Sequence, residues 1–420
     1  MAKLALNGGS PLYSGPWPIW PEAGEPEKAA LSRIIESNRW SYNGPEESEF
    51  KHKWSGFTHA EHSLLVANGT VSLQLILEAL GIGYGDEVII PGLSWQADAA
   101  VVADVNAIPV MVDVEKDSWC IDTVEIEKAI TPKTRAIIPV HLYGSICNIE
   151  RIVEIAENNN LFVLEDCAHQ HGSRFKGRHV GTFGNAGSFS LQNSKVLTCG
   201  EGGLIITNDD ELAVKLDALR NCGRKPEGML EEAGDFTKYS DDGDLIQSGN
   251  YRITEFQAAV LSAQFMRFPD QLEKRDNNAQ YLNQQLNSID GITPMLRREG
   301  TDLQSYFNYA FRYNKKFFKD RDVQLFRKAL GAELGIEFGA SYEPLNNCSL
   351  YRPLTKKRHN INEKYFRMLD PSRFNLPVSK RIFEEESVTV HHSFLLNSKE
   401  NCGKIIGAIL KIRENIDELK

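Results

Sequence analysis

Between residues 63 and 207, short apolar runs alternate with helical patterns, and this alternation limits the folds that the chain can adopt. The runs predicted to be strands are residues 63–66, 87–90, 109–112, 136–140, 162–164, 186–190 and 204–207. Most are continuously apolar, as in strands buried on both faces of a parallel sheet. Helical patterns such as residues 72–80 and 149–158 separate them. The alternation predicts an α/β fold whose ligands bind at the carboxyl ends of the strands.

The pattern changes in the C-terminal part of the chain. A long helical region runs through residues 256–266 and on to residue 285. Scattered strands and helices follow, at residues 309–313 and 323–330, and a charged helix is predicted near residues 404–419. We interpret residues 31–275 as a large ligand-binding domain and residues 276–420 as a small α+β domain. Residues 1–30, rich in Pro and Trp, are expected to pack near the small domain.

Charge and cysteine usage narrow the class of protein. The 420 residues include 47 Lys and Arg against 57 Asp and Glu, a net charge of −10, which argues against nucleic acid or an anionic membrane as the main partner. Apolar runs are too short for a membrane span, and residues 1–21 do not read as a signal peptide. The 7 scattered cysteines do not form a disulfide framework. We therefore expect a cytoplasmic protein that acts on small molecules.

Asp166 and Lys195 carry the strongest chemical signal. Asp166 directly follows an apolar run, where a side chain faces the ligand crevice, although an acid there is also common at a surface or a helix cap. Lys195 lies just beyond another apolar run. A partly desolvated lysine forms a Schiff base with a carbonyl. A carboxylate paired with such a lysine is what pyridoxal phosphate requires, because the carboxylate keeps the pyridine nitrogen protonated.

A phosphate site is predicted close to this pair. Gly69 and Thr70 lie between a strand and a helix, where free backbone N–H groups and the helix dipole attract anions. The hydroxyl of Ser190 can join the same phosphate. Two nucleotide-binding motifs fail, since Ser194 replaces the glycine that a P-loop needs before Lys195, and the glycines of residues 81–85 precede a strand.

Taken together, the motifs resemble the DegT/DnrJ/EryC1/StrS family of pyridoxal-phosphate aminotransferases over nearly the whole chain. The matching segments are residues 40–45 (WSYNGP), 67–70 (ANGT), 85–91 (GDEVIIP), 139–144 (PVHLYG), 165–172 (EDCAHQHG), 188–203 (SFSLQNSKVLTCGEGG) and 249–259 (GNYRITEFQAA). The resemblance implies the aspartate-aminotransferase fold, called fold type I. That fold has a mainly parallel seven-stranded sheet with helices on both faces and a smaller C-terminal α+β domain.

The resemblance also implies roles for individual residues in the cofactor site. Lys195 matches the lysine that binds pyridoxal phosphate covalently, and Asp166 matches the partner of the pyridine nitrogen. Gly69, Thr70 and Ser190 match contacts to the phosphate. The resemblance therefore predicts pyridoxal phosphate as the cofactor, held on Lys195.

Further matches concern the ring, the partner subunit and the substrate. Trp95 matches an aromatic residue that stacks on the cofactor ring, and His169 lies against the cofactor at a position that is often Gln. Asn250 matches an asparagine that reaches the phosphate of the neighbouring subunit, which implies a homodimer with shared sites. Tyr342 begins a Tyr-x-Pro-Leu substrate segment, after which this chain has Asn346 where the family commonly has His. The resemblance therefore implies that Tyr342 and Asn346 contact the substrate.

The predicted activity is transfer of an amino group from Glu or Gln to a keto-sugar or a keto-cyclitol of scyllo-inosose type. Residues 93–95 and 105–112 favour the cyclitol subgroup. His169 and residues 222–224 instead resemble 3-amino-5-hydroxybenzoate synthases, which dehydrate and aromatise, and this remains an alternative. A non-catalytic regulatory protein that binds the cofactor is a second alternative, although such a protein is expected to lack Lys195 or Asp166.

Cys167, His169 and His171 are of residue types that bind metal ions. Their spacing fits none of the zinc patterns, and no second pair of ligands follows at the required distance. We therefore predict no metal.

Overall fold

The apolar runs form the central sheet of the computed structural model, which describes residues 3–224 and 246–419. The helices are α1 (Glu25–Ser37), α2 (Pro45–Thr58), α3 (Gly69–Ala79), α4 (Ala97–Asp104), α5 (Thr123–Ala129), α6 (Ile149–Asn159), α7 (Asp210–Arg220), α8 (Glu255–Phe265), α9 (Phe268–Leu286), α10 (Val323–Leu334), α11 (Glu363–Met368), α12 (Pro377–Arg381) and α13 (Lys399–Glu414). The strands are β1 (His62–Val66), β2 (Glu87–Pro91), β3 (Ile108–Val112), β4 (Thr134–Ile137), β5 (Phe162–Asp166), β6 (Arg174–Phe175), β7 (Arg178–His179), β8 (Ala186–Ser190), β9 (Gly203–Thr207), β10 (Ile292–Pro294), β11 (Thr301–Leu303), β12 (Asn308–Tyr313) and β13 (Ser387–His391).

The predicted mainly parallel sheet is confirmed. Its 7 strands run in the order β1-β9-β8-β5-β4-β2-β3. Strand β9 pairs antiparallel with β1 and β8, and the other pairs are parallel. The carboxyl ends of the six parallel strands therefore meet at one edge of the sheet, where β9 begins. Asp166, Ser190 and Pro91 end their strands at this edge.

Helices cover the sheet because their apolar residues recur at helical spacing. In α6, Ile149, Ile152 and Ile155 are buried on one face, while the acidic residues between them point outward. Helix α3 begins at Gly69 because the side chain of Asn68 caps it, accepting a hydrogen bond from the N–H of Val71 at 2.9 Å.

A smaller α+β unit is built around a second sheet, in the order β10-β12-β13, with antiparallel pairing. Its apolar core includes Phe311, Leu330 and Ile409, which come from β12, α10 and α13. Leu4 joins the same core, and the Trp17 indole donates to the Leu334 carbonyl at 2.7 Å. The region between α10 and β13 also contributes side chains such as Leu345 to the core of the large sheet. The domain boundaries at residues 30 and 275 stay a prediction.

Several element bounds differ from the prediction. Residues 323–334 form one helix, α10, and the terminal helix begins earlier, at Lys399. Strand β4 covers Thr134–Ile137, since residue 140 makes only an isolated bridge to Asp166. The short strands β6, β7 and β11 form a third sheet that carried no strong pattern in the sequence. No helix within residues 3–224 and 246–419 has the length and apolar character needed to cross a membrane.

Candidate active site

A cavity of about 570 Å³ opens at the carboxyl edge of the large sheet. Predicted site residues that line it are Gly69, Thr70, Trp95, Asp166, His169, Ser190, Lys195 and Tyr342. All of these residues except Tyr342 lie at or after the carboxyl ends of β1, β2, β5 and β8, so the parallel strands bring them together at one edge of the sheet. Tyr342 comes from the connection between α10 and β13.

One end of the cavity has the form of an anion cradle. The N–H groups of Gly69 and Thr70 lie in the first turn of α3, where no partner exists within the helix. Ser190 lies directly opposite, and a Cβ atom on Gly69 would approach the Ser190 Cβ to 2.7 Å. A glycine is therefore required at residue 69. Because the two residues are so close, the backbone N–H of Gly69 and the hydroxyl of Ser190 can bind the same phosphate group.

Asp166 also lines the cavity, at the last position of β5. Its side chain is buried, and its Oδ1 accepts a hydrogen bond from the N–H of Ala168 at 2.8 Å. Its backbone N–H donates to the Pro139 carbonyl at 2.9 Å, and its backbone carbonyl accepts from His141 at 3.1 Å. These bonds hold the carboxyl group at the floor of the cavity.

Lys195 follows β8 in the loop that forms the cavity wall. Its ammonium nitrogen lies 4.0 Å from the centroid of the Phe307 ring, a cation–π contact. Burial lowers the pKa of Lys195 to about 8. The charges of Asp166 and Asp98 raise this pKa, but their effect is smaller than that of burial. A sizeable fraction of the lysine is therefore an uncharged amine near neutral pH, which is the form that attacks a carbonyl.

This pKa leads to a prediction about cofactor capture. We expect the rate at which the cofactor-free protein reacts with pyridoxal phosphate to rise about tenfold per pH unit below pH 8 and to level off above it, because only the neutral amine attacks. Stopped-flow absorbance measures the rate. N-α-acetyllysine is the control for ionisation of pyridoxal phosphate itself, and its rate should keep rising toward pH 10. A protein rate that follows the control would contradict the lowered pKa.

His169 is locked in one tautomer by its neighbours. Its Nδ1 accepts from the backbone N–H of Tyr143 at 3.2 Å, so the proton lies on Nε2, 3.3 Å from the Tyr342 hydroxyl. Burial and the charge of Lys195 keep the pKa of His169 well below its usual range. The ring stacks on Phe307 with centroids 4.0 Å apart. His169 is thus a neutral, flat surface in the cavity wall, suited to contact a planar ring.

Trp95 and Tyr342 form the outer part of the wall. Trp95 is 45% exposed, and its ring centroid is 5.6 Å from that of Tyr342. The backbone N–H of Tyr342 donates to the Tyr143 hydroxyl at 2.9 Å, which fixes the start of the segment.

Two predicted site residues lie away from the cavity. Asn346 does not line it, since its side-chain amide donates to the Phe374 carbonyl at 3.0 Å. Asn250 is exposed, and its Oδ1 accepts from the N–H of Arg252 at 3.3 Å. Their roles stay predictions.

The sequence reasoning missed two residues of this site. Phe307 packs between Lys195 and His169, and no local pattern marks it, because it reaches the cavity from the connection before β12. Asp98 is fully buried in α4 and contacts the Asp166 carboxyl. An isolated acid within the apolar run of residues 97–103 was a signal that could have identified it.

Two of the three possible metal ligands, His169 and His171, have other hydrogen-bond partners in the described structure. The Nε2 atom of His171 is 2.8 Å from the Ser190 carbonyl, which supports the strand end carrying the predicted phosphate contact. Cys167 is buried, and burial raises the pKa of its thiol well above the usual range. Absence of a metal stays a prediction.

The cavity fits pyridoxal phosphate on the evidence of its own residues. Its lining includes a glycine-dependent cradle at the start of α3, a buried carboxylate and a lysine with a lowered pKa. An aromatic surface flanks the space. These are the groups that a flat, phosphorylated pyridine aldehyde requires.

Known proteins of one family are similar to this chain over most of its length. The sequence profile of the DegT/DnrJ/EryC1/StrS aminotransferase family matches residues 21–394. The chain is 38% identical over 423 residues to an L-glutamine:2-deoxy-scyllo-inosose aminotransferase of Streptoalloteichus tenebrarius, covering 99% of each chain. It is 37% identical over 432 residues to an L-glutamine:scyllo-inosose aminotransferase of Streptomyces griseus, covering 100% of this chain and 99% of that one. The crystal structure of 3-amino-5-hydroxybenzoic acid synthase superposes with a TM-score of 0.79 at 26% identity, covering 95% of this chain and 99% of that one.

Proposed function

Because the chain belongs to the DegT/DnrJ/EryC1/StrS aminotransferase family, we propose that this pyridoxal-phosphate aminotransferase moves an amino group from glutamine, or from glutamate, to the ketone of a scyllo-inosose-type cyclitol. The observation that carries the substrate assignment is the full-length similarity to two relatives named for glutamine and inososes. A keto-sugar of similar shape is the nearest variant of the same proposal.

The roles of the residues follow from their positions. When bound, pyridoxal phosphate supplies an aldehyde that accepts the amino group and a ring that withdraws electrons. Lys195 would hold the cofactor covalently and, once displaced, move a proton at its Nζ as base and then as acid. Asp166 would hold the proton on the pyridine nitrogen. Gly69, Thr70 and Ser190 would bind the phosphate.

The wall residues orient the reactants and limit access of water. His169 and Trp95 line the cavity, and the ring of Phe307 contacts the Lys195 ammonium group. Burial raises the pKa of Tyr342 well above its usual range, so its hydroxyl stays protonated and able to donate to a substrate oxygen. A cyclitol presents several hydroxyl groups, and a neutral donor at the cavity wall suits such a ligand.

A screen in half-reactions tests the assignment directly. Purified holoenzyme is mixed with individual amino acids, and the loss of cofactor absorbance is followed. The aminated form is then mixed with individual ketones, and its recovery is followed. We expect glutamine or glutamate to be the fastest donor and an inosose to be the fastest acceptor. Faster recovery with an acyclic keto acid than with any cyclic ketone would contradict the proposal.

A second candidate function is a dehydrating, aromatising synthase. The structural similarity to 3-amino-5-hydroxybenzoic acid synthase, with His169 at the cofactor face, favours it. The full-length relatives at 37–38% identity favour transamination more strongly. An aromatic product absorbs in the near ultraviolet and an aminocyclitol does not, so the product spectrum distinguishes the two. A non-catalytic regulator would show no half-reaction with any donor.

We propose a homodimer in which Asn250 completes the partner's phosphate site. The resemblance of residues 249–259 to the family motif supports this, and so does the exposure of Asn250 outside the cavity of its own chain. One hydrogen bond to a charged phosphate contributes about 1.5–3 kcal/mol, so Asn250→Ala should weaken cofactor binding about tenfold to a hundredfold.

Mixing two inactive variants tests the shared site. At limiting cofactor, we expect neither Lys195→Ala nor Asn250→Ala to be active alone. A mixed dimer carries both lesions in one site and none in the other, so equal mixing should restore about one quarter of parental activity. Native mass spectrometry must show that subunits exchange. If they exchange and activity stays absent, Asn250 does not serve the neighbouring site.

We also propose a cytoplasmic location. All 7 cysteines lie in the described part of the chain, and all are free thiols. Such a set suits a reducing compartment.

A further inference from the structure

Asp98 is a buried acid that the proposed reaction does not yet use. It lies in the first turn of α4, and its side chain is fully buried. The Ser94 hydroxyl donates to its Oδ2, whereas its Oδ1 has no hydrogen-bond donor among the described residues. The Asp98 carboxyl is in hydrogen-bonding contact with the Asp166 carboxyl. A buried acceptor without a donor is energetically unfavourable, and so is a contact between two ionised carboxylates.

A shared proton explains the contact. Two ionised carboxylates cannot remain in contact in the protein interior, because their charges repel and both are desolvated. The groups that face Asp98 are Asp166 from β5, Lys195 from the loop after β8, and the hydroxyl of Tyr342. If Oδ1 of Asp98 carried a proton, it would donate a hydrogen bond to Asp166. It would then need no donor of its own.

The proton is better placed on Asp98 than on Asp166. Asp166 already accepts the N–H of Ala168, and its charge is the larger of the two carboxylate influences on Lys195. Asp98 has a single hydroxyl donor and complete burial, and burial together with the neighbouring Asp166 raises its pKa well above the usual range. Both observations assign the negative charge to Asp166.

We infer that Asp98 is a positioning residue: a neutral carboxylic acid that donates a hydrogen bond to the Asp166 carboxylate and keeps it ionised and correctly oriented toward the pyridine nitrogen. This inference rests on the proposed function, in which Asp166 is the partner of that nitrogen. An ionised carboxylate accepts several hydrogen bonds, so Asp166 can receive the proton of Asp98 and that of the pyridine together. The pair then carries one negative charge.

Two substitutions of Asp98 test whether its side chain acts as a neutral hydrogen-bond donor or as a negative charge. Asp98→Asn keeps a neutral N–H donor of the same size, and we expect kcat within about twofold of the parent. Asp98→Ala removes the donor, and we expect a loss of roughly tenfold in kcat, since a hydrogen bond to a charged group is lost. The pH midpoint of the cofactor absorbance should be the same in Asp98→Asn and the parent. An ionised Asp98 would instead predict a fall of about one pH unit, because Asn would remove a charge that favours protonation near Lys195.

Infrared spectroscopy of the cofactor-free protein detects the proton without activity. The parent minus Asp98→Asn difference spectrum at neutral pH should contain the carbonyl stretch of one protonated carboxylic acid, and Asp98→Ala should give the same band if Asp98→Asn does not fold. The matched control is Asp113→Asn, which changes a buried aspartate that accepts from the N–H groups of Val378 and Ser379. Its difference spectrum should lack that band.

Three results would each overturn the inference: no protonated band, a lowered midpoint in Asp98→Asn, or equal losses of kcat in Asp98→Asn and Asp98→Ala. The last would mean that Asp98 acts through packing alone. Failure of the proposed function has a different signature. In that case the parent itself shows no half-reaction, while the infrared band still reports the proton on Asp98.

Discussion

Lys195→Ala is expected to retain at most about one hundredth to one ten-thousandth of parental turnover, which is the range that one positioned acid–base group contributes. The variant loses the amine that holds the cofactor and the Nζ that moves the proton. The pKa of this amine, lowered by burial to about 8, is what makes it reactive near neutral pH. Steady-state turnover with glutamine and a cyclic ketone measures the effect.

Borohydride reduction identifies the attachment site in the same experiment. In the parent, peptide mapping should place the reduced cofactor adduct on Lys195. Lys176→Ala is the matched control, because Lys176 is an exposed lysine 2.6 Å from Glu150, and its turnover should equal that of the parent. An adduct on any other lysine would reject the assignment of Lys195.

Asp166→Asn is expected to bind the cofactor and to lose about 10²–10³-fold in kcat. Asn retains an oxygen that can accept the N–H of Ala168, so the side chain should keep its place. The lost group is the negative charge that holds a proton on the pyridine nitrogen. Removing one such preorganised electrostatic contact raises a barrier by about 2.7–4 kcal/mol.

The control for this variant is the same change at another buried aspartate. Asp113 and Asp166 are 9% and 7% exposed, so the two substitutions are similar in burial. Asp113→Asn weakens the hydrogen bonds to the start of α12 and should lower the melting temperature while kcat stays near the parental value. Equal kcat in Asp166→Asn and the parent would show that the charge of Asp166 does not act on the cofactor.

Much of the site could be predicted because its signals are local. The strand that ends at Asp166 begins with the apolar run of residues 162–164, and the turn at Gly69 is marked by Asn68 and the helix that follows. Apolar periodicity and turn residues depend on neighbours within a few positions. The buried strands and the helices that connect them could therefore be inferred from the sequence alone.

Other features depended on contacts between distant segments. The role of Asn346 as a substrate contact stays a prediction, and the sequence did not indicate that its amide donates to the carbonyl of Phe374, 28 residues along the chain. Phe307 enters the cavity beside Lys195 although nothing around it in sequence indicates a site. The element that packs against a loop residue decides whether its side chain is buried. The residues next to it in the sequence do not indicate which element that is.

The α/β class, the mainly parallel sheet and the family were therefore predictable from the sequence, the family from segments that include Asp166 and Lys195. The tertiary structure alone decided the lowered pKa of Lys195, the tautomer of His169 and the pairing of Asp98 with Asp166. The physical reason is that strand and helix patterns arise from short-range backbone and hydrophobic preferences. Protonation states instead depend on desolvation and on charges that only folding brings within a few ångströms.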